Sequence, residues 1–349
     1  MTICFLATEG LVPWLAKLAQ NYRVIAPRRE GKAIIFRPWK EGDKAPVPLK
    51  ATIAPKGVMF PACETLVSYK TTKDPEQLDK VSLTLKAPVK AEPTVLFGCR
   101  SCDARGFVAL DKAYLGGKFK DPYYEARRNA TIIVTHTCDN PTPTCFCTWV
   151  NGGPASPEGS DVLMTAVNGG YVLEGISQKG KDLLAGSGLP DGADKLDEAR
   201  AVRTEAAKRV TPRKDLSKAA ERLKARFTDM DFWVSQTAKC LSCGACTFMC
   251  PTCQCFNISD EGDPASEQGG QRLRSWDYCM SPLFTREASG HNPRMAKAAR
   301  MRNRVSHKYW YSTEYSPDGR FSCTGCGRCI AQCPVSLDIR EIVVKAIEE

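Results

Sequence analysis

Leu11, Trp14, Leu15 and Leu18 recur at the three- and four-residue intervals of a single helix face, so the chain is expected to open with an amphipathic helix after Thr8. Pro13 sits in its first turn, where a missing N–H is tolerated. The period then shortens: Tyr22 to Ala26 and Ala33 to Phe36 read as strands around a turn at Gly31. A Pro- and Lys-rich connector leads through Lys56 to Tyr69 to a short apolar strand, Thr94 to Phe97. Gly98, Cys99, Arg100, Ser101, Cys102 and Asp103 follow at once, and Phe107, Leu110 and Tyr114 carry helical spacing. The pattern is strand, cysteine turn, helix.

A second strand, Thr131 to Thr135, also ends at a cysteine turn, His136 and Cys138, with Cys145 and Cys147 just beyond in CDNPTPTCFC. Val162 to Val167 and Tyr171 to Ile176 flank Asn168, Gly169 and Gly170, a hairpin signal, and Gly180 to Leu184 closes this region as a helix. From Asp191 the chain turns charged and Ala-rich, with Leu216, Ala219, Ala220, Leu223 and Phe227 on one helix face and Pro212 separating it from an earlier helix. Near the C-terminus Ile339, Ile342, Val343 and Ile347 mark a last helix after Ser336. The expected fold class is mixed α+β and α/β. It comprises an α/β domain over residues 1–190, a helical linker over 191–235 and an α-helical ferredoxin-type domain over 236–349 with an insertion at 256–322.

Cysteine changes this picture most. The 349 residues include 18 Cys, which in a chain long enough for real cores argues for metal binding in a reducing compartment rather than a disulfide scaffold. Cys240, Cys243, Cys246 and Cys250 before Pro251, and Cys323, Cys326, Cys329 and Cys333 before Pro334, both read CxxCxxCxxxCP. Three thiolates on a tight loop each hold one iron of a cubane, and the fourth serves the other cluster. The expected ligand sets are therefore Cys240, Cys243, Cys246 and Cys333 for one 4Fe-4S cluster, and Cys323, Cys326, Cys329 and Cys250 for the other. Gly244, Gly325 and Gly327 supply loops that tolerate unusual φ. Structural zinc prefers ligands in two pairs, often with His.

In α/β sheets ligands gather at the carboxyl ends of strands, and Cys99, Cys102, Cys138, Cys145 and Cys147 are aimed at one such edge. Two readings stay open there: a third cluster on Cys102, Cys138, Cys145 and Cys147, with Cys99 as substitute, or buried thiols. Cys253 and Cys255 are read as packing thiols in preference to extra ligands, and Cys4, Cys63 and Cys279 as isolated thiols.

Charge and absences narrow the function. The net charge is +10, part of it in the stretch from Arg294 to Lys308. Lys297, Arg300, Arg302 and Arg304 with Tyr309, Trp310 and Tyr311 fit a phosphate backbone with stacked bases, but a solvated basic face or one docked on an acidic protein is preferred. Residues Asp260 to Gly270 are read as a polar loop. No GxGxxG follows a strand and no GxxxxGK[ST] occurs. No apolar run reaches the roughly 18 residues of a membrane span, and the first residues lack a basic leader, so a cytoplasmic protein is expected.

The chain resembles the iron-sulfur subunits typified by the β subunit of sulfhydrogenase and the corresponding iron-sulfur component of anaerobic sulfite reductase. The resemblance is carried by KGVMFPACETLVSY, VLFGCRSCDARGFVALDKAYL, DPYYEARR, CDNPTPTCFC, CLSCGACTFMCPTCQCF and HKYWYSTEYSPDGRFSCTGCGRCI. It implies an electron-transfer subunit of an anaerobic oxidoreductase complex, non-catalytic by itself. Such a subunit relays single electrons between two others: one binds flavin and NAD(P)H, and one is a reductase or hydrogenase of the sulfite reductase, sulfhydrogenase or heterodisulfide reductase type. The eight ladder cysteines match the family residue by residue. Cys102, Cys138, Cys145 and Cys147 match its N-terminal cysteine pattern, and Cys99 stands where relatives often carry an apolar residue. The alternative is a redox-sensing iron-sulfur protein that binds nucleic acid.

Overall fold

The structure, a computed structural model, describes residues 2–74, 76–77, 79–263, 266–316 and 318–348. Its first elements are β1 (Ile3–Ala7), α1 (Leu11–Ala19), β2 (Arg23–Glu30), β3 (Ala33–Pro38), β4 (Cys63–Lys73) and β5 (Val81–Lys86). They are followed by β6 (Thr94–Cys99), α2 (Ser101–Leu115), α3 (Pro122–Ala130), β7 (Thr131–His136), β8 (Val162–Val167), β9 (Gly170–Gly175) and α4 (Gln178–Ala185). The helical segment holds α5 (Leu196–Lys208), α6 (Ala219–Ala225) and α7 (Met230–Thr237). The remainder is α8 (Ala245–Phe248), β10 (Phe256–Asp263), β11 (Ser266–Trp276), α9 (Lys297–Ser306), a π-helical turn at His307–Tyr311, α10 (Ser312–Tyr315), α11 (Arg328–Ala331) and α12 (Ile339–Glu348). Among the described residues no helix is long and apolar enough to cross a membrane.

Seven strands form one sheet in the order β1-β9-β8-β7-β6-β2-β3. The central β2, β6, β7 and β8 are parallel, with antiparallel edges. Every residue of β6 and β7 is buried, as expected of strands covered on both faces. Val95 and Phe97 pack with the α1 face of Leu11, Trp14, Leu15 and Leu18, whereas Leu96 and Ile133 point oppositely, to Phe107, Leu110 and Tyr114 of α2. This sandwich holds the ends of β6 and β7 side by side, and both strands run directly into cysteine turns.

Two expectations are corrected. The chain opens on β1 rather than on its helix, because ICFLA is a short apolar run without helical period and it pairs antiparallel with β9. The expected polar loop at 260–270 is mostly a hairpin, β10 with β11, in a second sheet of order β10-β11-β4-β5. Its tip at 264–265 lies outside the described residues. The β10–β11 hairpin faces water widely, so polar pairs hold it, as in Arg272 with Asp260 at 2.8 Å, and no sustained apolar alternation betrays it.

The helical segment divides its contacts between two bodies. Arg203 of α5 donates to Thr165 and Glu174 of the large sheet. Leu216, Ala219 and Leu223 instead join a third core with Trp233, Met301, Tyr309, Ile342 and Val343, to which Phe146, Trp149 and Val150 also belong. The segment after β7 is thus built into the C-terminal core.

Candidate metal centre

The two ladders fold alike. Gly244 and Gly327 take left-handed φ of 77° and 70° and cap the single-turn helices α8 and α11. The Ser242 amide donates to Cys240 Sγ and the Gly325 amide to Cys323 Sγ, both at 3.4 Å. Each loop therefore aims amide hydrogens at the sulfur two residues back.

Cys240, Cys243, Cys246 and Cys333 line one cavity, closed by Met280, Met301, Arg304 and Ile339. The Leu337 amide donates to Cys333 Sγ at 3.2 Å. Cys250, Cys323, Cys326 and Cys329 lie together beyond it. Burial raises the Cys329 thiol well above its ordinary range, and Cys326, Cys323 and Cys250 are close enough to raise it further. Burial likewise pushes Cys323 up to about 11, against hydrogen bonds from Tyr309 and Gly325 that lower it. Tyr309 donates to Cys323 Sγ at 3.4 Å.

At the strand ends, Cys102, Cys138, Cys145 and Cys147 line a further cavity together with Lys50, Arg100, Gly325 and Cys326. Cys99 is not among them: fully buried, with its sulfur 3.6 Å from Thr135 Oγ1, it belongs to the α2 core. The loop bearing Cys145 and Cys147 meets the second ladder closely. Phe146 N donates to Gly325 O at 2.8 Å, and a Cβ on Gly325 would stand 2.5 Å from Cys147 Cα. One on Gly327 would strike Thr144 O. Burial raises the Cys145 thiol, but the Lys50 ammonium and hydrogen bonds from Thr142 and Lys50 outweigh it, and its pKa is lowered overall.

Buried cations surround these thiols, and apart from Arg304 and Lys308 in the basic stretch no sequence pattern marks them as site residues. Lys56 and Lys308 are 3% exposed and Arg304 is 4% exposed. Lys56 donates to Cys253 O at 2.9 Å and stands 4.3 Å above the Trp276 ring. Arg304 donates to Cys246 O at 3.0 Å and faces Cys253 Sγ at 3.6 Å, and Lys308 donates to Thr252 at 2.7 Å. Among the described residues none of the three pairs with a carboxylate, and neither does Lys50. A desolvated cation requires a compensating anion. Thiolate-ligated iron-sulfur clusters are anions of the kind these cations call for, so the donor set and its surroundings fit that cofactor. No three His, Cys, Asp or Glu side chains among the described residues converge on a single ion point. The first-ladder and strand-end thiols instead line small cavities, the arrangement a cubane with one iron per ligand needs. Position adds a signal for two of the cations: Lys56 opens KGVMFPACETLVSY and Lys308 lies in HKYWY.

The expected solvated basic face at 294–308 is corrected by the same observation. Arg300 turns inward to Met280 O at 3.0 Å and Ser242 Oγ at 3.2 Å. Arg302 lies 4.0 Å over the Phe227 ring, Tyr309 is fully buried, and Trp310 and Tyr311 pack on Phe227. Arg300 and Arg304 hold the first-ladder loop in place instead of facing water. Cys279, expected to be isolated, lies close enough to Cys255 for the two to shift each other's thiols, as Cys253 and Cys250 do.

Residues 239–337 match a family described as a 4Fe-4S dicluster domain. Over 247 residues the chain is 34% identical to sulfhydrogenase 2 subunit beta of Pyrococcus furiosus, covering 70% of this chain and 71% of that protein. No solved structure matches the chain.

Proposed function

The chain belongs to the iron-sulfur electron-transfer subunits that include the sulfhydrogenase beta subunit, and from that premise we propose that it holds three 4Fe-4S clusters in a row. Cys240, Cys243, Cys246 and Cys333 hold the first, Cys323, Cys326, Cys329 and Cys250 the second, and Cys102, Cys138, Cys145 and Cys147 the third. The observation that carries this reading is the sharing of ladder residues between cavities. Cys326 borders the cavity of the strand-end cysteines, and Cys329 borders that of the first ladder, so the second-ladder loop touches both neighbours.

Bound clusters supply one-electron chemistry, and the chain's residues make that transfer possible. The thiolates fix the sites, amides and Tyr309 donate to sulfur, and buried cations stabilise the negative charge an electron adds. Met280, Met301 and Ile339 give the first site an apolar wall. Cys243 is exposed beside Leu241, itself 65% exposed, and marks the face where electrons enter or leave.

In this reading the partners are a flavin- and NAD(P)H-binding subunit, which splits a hydride into single electrons, and a terminal reductase or hydrogenase subunit. The test is anaerobic reduction of the flavin-free chain. Dithionite should bleach its visible absorbance, whereas NADH or NADPH should not do so until a flavin subunit is added. Bleaching by NADH alone would overturn the relay.

A further inference from the structure

Residues 48–51 form a strap that crosses from the large sheet to the second ladder. It is clamped from both sides: Arg100, in the first cysteine turn, donates to Pro48 O at 2.5 Å, and Arg328, beside Cys329, donates to Ala51 O at 2.8 Å. Between the clamps Lys50 reaches inward. Its Nζ donates to Cys145 Sγ at 3.1 Å, to Cys326 O at 3.0 Å and to Thr142 Oγ1 at 3.1 Å. One ammonium thus touches a thiol of the strand-end site and the loop of the neighbouring ladder, with no carboxylate among its partners.

We propose that Lys50 is a positioning residue that sets the reduction potential of the strand-end cluster and holds it against the second-ladder loop. The proposal rests on the third-cluster reading above. Each electron added to that site adds one negative charge, and a fixed ammonium at 3.1 Å from a ligand sulfur stabilises the reduced form more than the oxidised one. Hydrogen bonds to sulfur act in the same direction. The clamps keep the lysine in place, so little reorganisation accompanies electron arrival.

The test compares the full anaerobically prepared chain as wild type, Lys50→Met, Lys50→Arg and Cys138→Ala. Iron is counted first: about twelve per chain is expected for wild type and Lys50→Arg, and about twelve for Lys50→Met, or about eight where its strand-end cluster is no longer held. The signal lost in Cys138→Ala identifies the strand-end cluster in EPR-monitored redox titrations. In Lys50→Met that cluster should become at least tenfold harder to reduce, a drop of about 59 mV for a one-electron couple. Lys50→Arg should recover most of the shift, and the Cys240 site should not move. An iron-replete Lys50→Met with an unshifted strand-end signal overturns the proposal. Loss of about four irons in Lys50→Met but not in Lys50→Arg supports it, and loss in both overturns it. A wild type with about eight irons fails at the count, before any titration, and overturns the third-cluster reading together with this one.

Discussion

Arg328 closes on Asp103 through two hydrogen bonds, at 2.6 and 3.1 Å, and neither side chain is more than 2% exposed. Asp103 follows Cys102 in the first cysteine turn, and Arg328 precedes Cys329 in the second ladder, so the pair pins the strand-end site to the dicluster domain. Burial works against the charge on Arg328, but Asp103 outweighs it and the guanidinium stays charged. Removing one partner of such a pair strands the other in a dry interior. Asp103→Asn should therefore lose about 3–5 kcal/mol of stability in anaerobic guanidinium melts. A loss under about 1 kcal/mol, the scale of an exposed pair, would show that the junction relaxes around the lone arginine.

A second prediction separates backbone strain from contact. Gly319 and Gly325 both adopt left-handed φ, at 62° and 66°, but a Cβ on Gly319 meets nothing within 4 Å. Gly319→Ala should cost only the left-handed penalty of about 1–2 kcal/mol. Gly325→Ala should cost clearly more, because its Cβ runs into backbone atoms of Phe146 and Cys147 at 2.5 Å. Thermal melts under anaerobic conditions measure both. Equal costs would mean that the Cys145–Cys147 loop does not bear on the ladder.

The parts of this fold that the sequence makes legible are those where covalent or local geometry leaves few choices. Ladder spacing follows from the size of a cubane, and the positive φ of Gly244, Gly325 and Gly327 follows from loops wrapped around sulfur. The turns after β6 and β7 are legible because an apolar run ends abruptly in cysteines. The polar hairpin of β10 and β11 is not, since water covers most of it and no alternation is needed. Lys50 is invisible for a different reason: its contact with Cys326 spans 276 residues and carries no motif. The basic stretch misleads because charge normally faces water, and only an anionic neighbour makes burial of Arg304 and Lys308 tolerable.

That burial has a consequence for nucleic acid. With Arg300, Arg304 and Lys308 engaged internally and Tyr309 buried, the stretch offers no continuous row of cations and rings to a phosphate backbone. Fluorescence anisotropy with single-stranded and duplex oligonucleotides should show no saturable binding at about 0.15 M salt. Tight binding that weakens steeply as salt rises, the mark of released counterions, would contradict this placement. Arg300→Ala should instead destabilise the chain, because it frees Met280 O, Met295 O and Ser242 Oγ together.

The proposed crossover of the fourth ligands yields the sharpest discrimination. Cys333 belongs to the second ladder by sequence, yet it lines the cavity of Cys240, Cys243 and Cys246. Cys250 of the first ladder lies among the thiols of Cys323, Cys326 and Cys329. Cys333→Ala should therefore remove or perturb the same EPR signal as Cys240→Ala, and Cys250→Ala the same signal as Cys323→Ala, each with a loss of up to about four irons. Because Cys253 lies close enough to Cys250 to perturb its thiol, it is placed to substitute for it. The Cys250→Ala loss should then be partial and become complete in the Cys250→Ala, Cys253→Ala double variant. If Cys333→Ala instead tracks Cys323→Ala, each ladder binds its own cluster and the crossed assignment falls.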